Sequence, residues 1–105
     1  MARKKPPTKA EREFMTKVAL LGCIACSKDG LTRPAEIHHV RIHTGMGLRP
    51  SHFDILPLCP DHHRTGKISV HLGKKAFEEK YGTQKELIKQ VKERIKQWNE
   101  IVDIF

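Results

Sequence analysis

Apolar residues recur three or four apart towards both ends of the chain and bunch into short runs in its middle. In "TKAEREFMTKVALLG", Phe14, Val18 and Leu21 repeat at helical spacing, so one face of residues 8–22 is apolar and a helix is predicted. Thr8 and Glu11 stand at capping-box spacing before that stripe, and Gly22 suits its end. The last segment repeats the pattern. Thr83 and Glu86 make a second capping pair, and Leu87, Val91, Ile95, Trp98, Val102 and Phe105 form an amphipathic stripe read as core. Lys85, Lys89, Lys92, Arg94 and Lys96 occupy polar positions of that helix.

Between these helices the period changes. "AEIHHVRI" is strand-like, with Ile and Val around two adjacent histidines, and "DILPLC" is a second short apolar run. The intervening "HTGMGLRPSH" carries two glycines and a proline, so the two runs are expected to form a hairpin with a long loop. "PDHHRTGK" begins at a proline and predicts a short helix, and "LGKKAFEEKYG" predicts another ending at Gly82. The fold class expected is α+β. Residues 1–7, "MARKKPP", read as a basic tail, disordered when free, that serves either as a solubilising end or as a phosphate-binding arm.

A chain of 105 residues is expected to be one domain, over 8–105, with a core small enough for a structural metal to help. No apolar run reaches membrane-spanning length and no signal-type segment follows the start, so a cytoplasmic protein is expected. In that reducing compartment the CxxC pair Cys23 and Cys26 reads as metal binding before disulfide. The net charge of +8 suits a polyanionic partner, although charge alone is a weak signal.

All seven histidines lie between residues 38 and 71, and all three cysteines between 23 and 59. Cys23-x-x-Cys26, in the knuckle-like "CIACSKDG", and Cys59-x-x-His62 are two ligand pairs of the kind that close a tetrahedral Zn²⁺ site. Four protein ligands leave no open position, so such a zinc is structural, and knuckle, hairpin and helix together imply a treble-clef finger. The competing readings are ordinary buried cysteines, or a redox CxxC without a thioredoxin-like setting.

Assigning His62 to zinc leaves His63 over. Neighbouring helical side chains diverge by about 100°, so His63 can serve another site, towards His38 and His39. His38, His63 and His71 could hold a second divalent ion with positions open to water or phosphate, and His39 would then be free to deprotonate water. Successive strand residues face opposite ways, so His38 and His39 share a site only where the strand ends, twists or bulges, and exchange of their roles stays open. Three imidazoles favour Zn²⁺, Ni²⁺ or Mn²⁺ over Mg²⁺, which stays open because substrate supplies oxygens. Arg41, Arg49, Arg64 and Lys67 are candidates to hold phosphates, with plain surface charge the equal alternative, and His43 reads as a surface residue.

The motifs "AEIHHVR", "DILPLCPDHH" and "CIAC" resemble the HNH nuclease superfamily with its ββα-metal finger. The resemblance implies His38 and His63 as metal ligands and His39 as general base. The middle asparagine of that motif falls at Asp54, which could orient the base or ligate metal, and His52 competes for the place. Taken with "GMGLRPSH", "PLCPDHHRTG" and "VH", residues 23–82 are similar to the phage recombination-enhancement nucleases. That likeness implies metal-dependent DNA cleavage directed by a RecA filament, with a 5′-phosphate and 3′-hydroxyl left behind, in a phage- or prophage-bearing bacterial cell. Hydrolysis without metal is the weaker reading, since no Cys nucleophile is left once the zinc ligands are assigned. Two other classes remain: a zinc-finger DNA-binding module without catalysis, which leaves His38, His39, His63 and His71 idle, and a protein-interaction adapter, which leaves the charge unexplained.

Overall fold

In a computed structural model of the chain, which describes residues 6–41 and 51–104 with backbone alone at 102–104, helices enclose a two-stranded sheet. The order is α1 (Lys9–Leu20), α2 (Ile24–Lys28), β1 (Glu36–His39), β2 (Ile55–Leu58), a π-helical turn (Asp61–Thr65), α3 (Lys74–Tyr81) and α4 (Gln84–Ile104). The fold is small and α+β. The predicted loop between the strands, with His43 and Arg49, falls largely outside the described residues, as do most of the basic tail and Phe105.

Helix α1 begins at its capping box: the Glu11 amide donates to Thr8 Oγ1 at 3.1 Å, and the Thr8 amide donates to Glu11 Oε1 at 2.8 Å. Val18 is fully buried, with Phe14 and Leu21 packed partly buried around it. The chain then turns at Gly22, whose φ of +78° favours glycine and whose Cα lies so close to the Arg33 carbonyl that a Cβ would sit 3.1 Å from it. This turn delivers Cys23 directly into the start of α2.

The strands are antiparallel, with Glu36 opposite Leu58, Ile37 opposite Pro57, His38 opposite Leu56 and His39 opposite Ile55. Pro57 is tolerated because each strand of a two-stranded sheet has an unpaired edge, where a missing N–H costs no ladder bond. The Val40 amide continues the ladder by donating to the Asp54 carbonyl at 2.9 Å. All of β2 is buried and β1 is half-buried, so β1 forms the side of the sheet from which side chains can reach a ligand.

Leu87, Ile88, Val91 and Ile95 bury the inner face of α4 against this core, with Trp98 partly covered at its edge. Full burial of an aliphatic side chain of this size stabilises by roughly 1.5–3 kcal/mol before entropy is counted. Ile88 widens the predicted stripe. The second capping pair forms one of its two bonds among the described residues, from the Glu86 amide to Thr83 Oγ1 at 3.2 Å.

The helix predicted for "PDHHRTGK" is a single π-helical turn. The Gly66 amide donates to the Asp61 carbonyl, five residues back, at 2.8 Å, and a Cβ on Gly66 would meet that carbonyl oxygen at 2.5 Å. The wider turn ends where the missing side chain lets the backbone close on itself. No helix among the described residues is long and apolar enough to cross a membrane.

Candidate functional site: two clusters of metal-ligating side chains

Both ligand clusters hang on the same short stretch. His62 and His63 are neighbours on the π-helical turn and face different partners. In the first cluster, His62 Nδ1 lies 3.2 Å from Cys59 Sγ, 3.5 Å from Cys26 Sγ and 3.6 Å from Cys23 Sγ, and the Cys26 and Cys59 sulfurs are 3.7 Å apart. A tetrahedral zinc with Zn–S of about 2.3 Å and Zn–N of about 2.0–2.1 Å requires S···S near ~3.8 Å and S···N near ~3.6 Å. The quartet therefore has the size and donor chemistry of a zinc site. The three cysteines are free and buried. Without a cation, burial and the neighbouring thiols push Cys26 up to about 12. At Cys59 burial acts the same way but is outweighed, chiefly by the His62 amide, and its pKa is lowered. Three buried sulfurs in mutual contact are a poor set of neutral thiols and a good set of thiolates around a divalent cation.

The imidazole of His62 is held from behind. Its Nε2 lies 3.1 Å from Tyr81 Oη, and that hydroxyl donates to Asp29 Oδ2 at 2.6 Å. Since the hydroxyl proton goes to Asp29, Tyr81 accepts from His62 Nε2–H, which leaves Nδ1 unprotonated towards the sulfurs. Lys80 Nζ stands 3.7 Å from the same Asp29 oxygen. The tyrosine hydrogen bond, opposed by burial and helped by the lysine charge, holds the Asp29 carboxyl below its ordinary range. The chain Lys80–Asp29–Tyr81–His62 thus ties α3 to the knuckle and fixes the tautomer a metal needs.

The second cluster comprises His38 from β1, His63 from the π-helical turn and His71 from the following turn. Each offers a nitrogen within 4.8 Å of the others, and ring centroids lie 4.9–5.4 Å apart. His71 is placed by its amide, which donates to the His63 carbonyl at 3.2 Å. Gly73 closes that turn where a Cβ would fall 2.0 Å from the Lys67 carbonyl. His63 Nδ1 is 2.7 Å from Glu36 Oε1, so its Nε2 is the nitrogen left for a ligand. The same carboxylate takes Arg64 on both oxygens, at 2.9 and 3.1 Å. Arg64 and then His63 hold Glu36 ionised below the usual carboxylate range. His38 Nε2 lies 2.9 Å from Gln84 Oε1 at the start of α4. Burial, with the charges of His63 and His71 behind it, holds His38 below its ordinary pKa although the Gln84 bond opposes this.

The strand pleat separates the adjacent histidines. His38 turns to His63 and His71, whereas His39 Nε2 meets His52 Nδ1 at 3.0 Å. Burial first, then the charge of His52, lowers the His39 pKa, so its ring is neutral at neutral pH. Asp54 sits beside this pair in sequence, but its carboxylate takes Lys92 Nζ from α4 at 3.1 Å. Of the candidate phosphate ligands, Arg41 and Lys67 are exposed, Arg64 is committed to Glu36, and Arg49 lies outside the described residues.

Glu36, Gln84, Tyr81 and Asp29 are absent from the sequence-predicted set. For Glu36 a signal existed, since it lies two residues before His38 and shares its face of the strand. The other contacts join residues 46, 19 and 52 positions apart and leave no local trace.

No curated protein matches the chain. The family model described as recombination enhancement, RecA-dependent nuclease, matches residues 7–96. A trio of imidazoles and a Cys3His cluster that could hold metal ions are chemistry suited to that description, and the chain belongs to this family of nucleases, enzymes that act on nucleic acid.

Proposed function

We propose that the protein is a metal-dependent endonuclease of the HNH type, built on a treble-clef ββα-metal finger, that hydrolyses DNA phosphodiester bonds where a RecA filament directs it. The observation that carries this reading is the convergence of His38, His63 and His71 on one another, with His39 and its partner His52 following at the next position of β1, in a chain of a nuclease family. The zinc quartet of Cys23, Cys26, Cys59 and His62 staples the finger and sets the π-helical turn that presents His63.

His38, His63 and His71 would hold the second ion, and when bound there a divalent cation supplies Lewis-acid stabilisation of the scissile phosphate and of the leaving oxygen. Glu36 fixes the His63 tautomer and keeps the ring oriented. His39 is the general base. With Nε2–H donating to His52 Nδ1, the lone pair of His39 Nδ1 accepts a proton from the attacking water. His52 thereby takes the orienting place that Asp54 competes for, while Asp54 anchors Lys92. Cleavage leaves a 5′-phosphate and a 3′-hydroxyl. No element among the described residues is assigned to reading base edges, and target choice is given to the filament.

A cleavage assay on RecA-coated DNA with Mn²⁺ or Mg²⁺, paired with metal analysis, tests this. Wild type should cleave and carry one tightly held zinc plus an exchangeable ion. His63→Ala should keep the zinc, lose the exchangeable ion and lose cleavage. Wild-type activity in His63→Ala refutes the reading.

A further inference from the structure

Helix α4 divides its polar surface unequally. Lys85, Lys89, Lys92 and Lys96 are all exposed and are spaced four, three and four residues apart. At about 100° per residue these positions fall within about 60° of arc, a single row roughly 16 Å long. Glu86, Glu93 and Glu100 recur every seventh residue and form their own row, about 70° further round and pointing straight away from the core. The opposite flank carries Gln90, Arg94 and Gln97, and Arg94 donates to Ser27 Oγ beside the zinc quartet.

The lysine row is the flank turned towards the histidines. Lys92 reaches Asp54, which lies two residues after His52 and whose carbonyl pairs with Val40, the residue after His39. Gln84, one residue before the row, bonds His38. Among the described residues, Lys85, Lys89 and Lys96 make no ion pair, and only Lys92 is tied down.

We infer that Lys85, Lys89 and Lys96, with Lys92 as the fixed point between them, form a rail for the phosphate backbone of DNA that leads one strand past His39. This rests on the reading of the site as acting on DNA. A row of about 16 Å spans about five phosphates of one strand, at one per about 3.4 Å of duplex axis. A flat row of ammonium groups contacts phosphates without reading bases, in keeping with a site that leaves sequence choice to a partner.

The test is the salt dependence of duplex binding, followed by fluorescence anisotropy of a labelled oligonucleotide in the His39→Ala background. The triple variant Lys85→Gln, Lys89→Gln, Lys96→Gln is compared with Lys9→Gln, Lys28→Gln, Lys75→Gln, which removes the same charge from exposed positions elsewhere. Glutamine keeps helix propensity nearly unchanged, so both should fold, as circular dichroism would verify. The slope of log K against log salt should fall in magnitude by about 2.7 in the rail variant, at about 0.9 per lost phosphate contact, and stay near the parent value in the control. Equal changes in both variants would reduce the effect to net charge and overturn the rail. An unchanged slope with loss of filament-directed cleavage, when the triple is placed in the otherwise wild-type chain, would make the row a protein-docking face and overturn it as well. Absence of salt-dependent DNA binding in the parent would instead defeat the DNA reading itself.

Discussion

Tyr81→Phe isolates the role of a single hydroxyl behind the cluster of Cys23, Cys26, Cys59 and His62. The ring is 6% exposed and packs against Phe77 and His62 with centroids 5.1 and 5.2 Å away, contacts that phenylalanine keeps. What is lost is the acceptor for His62 Nε2–H and the donor to Asp29. Asp29 retains Lys80, whereas His62 is left without a partner and free to present the wrong nitrogen to the sulfurs. Loss of such an outer partner typically weakens metal affinity about 10–100-fold. At 1.36 kcal/mol per decade this is about 1.4–2.7 kcal/mol. Because zinc held by these four residues would stabilise the folded chain, the melting temperature at limiting zinc should fall by on the order of 5–20 °C for a chain of this size. Competition with a chromogenic chelator reads the affinity and a thermal melt reads the stability. Unchanged zinc affinity in Tyr81→Phe, or a drop in melting temperature equally large with zinc stripped from both proteins, would refute the reasoning.

Glu36→Gln should weaken the exchangeable ion about 10–100-fold while leaving the tightly held zinc in place, because the carboxylate supports His63 and not the sulfur quartet; titration calorimetry on the zinc-loaded protein measures this. At the other end of the chain, the capping bond from the Thr8 amide, which outweighs the opposing effect of burial, lowers the Glu11 pKa. A depressed carboxyl stabilises the fold above its unfolded pKa and loses that contribution as pH falls through its folded value. Glu11→Ala should therefore melt below wild type at neutral pH, with the gap narrowing below about pH 4, and a gap that stays constant into acid would contradict the capping account.

The clustering of Cys23, Cys26, Cys59 and His62 was legible because they come in two local pairs, each of one x-x spacing, and a single turn dictates how such pairs present their side chains. The ends of α1 and α4 were legible for the same reason, since capping and the 3.6-residue period are local. The imidazole trio could be reached by elimination once His62 was assigned, and the pleat of β1 already warned that His38 and His39 face apart. The partner that His39 finds instead, His52 across 13 positions, depends on how the hairpin closes and has no local signature. The surroundings of Asp54 were equally hidden. Its place in the motif suggested chemistry, yet the approach of α4 gives its carboxylate to Lys92. The π-helical turn was missed because Pro60 signals a helix start equally well for any helical pitch, and only the backbone contact at Gly66 selects the wider one.

The most direct measurement is cleavage of RecA-coated plasmid by wild type and His39→Ala, each with Mn²⁺ or Mg²⁺. The account predicts metal-dependent strand cleavage by wild type and a loss of at least about 100-fold in His39→Ala, the usual scale of a general-base contribution. Cleavage by His39→Ala at the wild-type rate would contradict it.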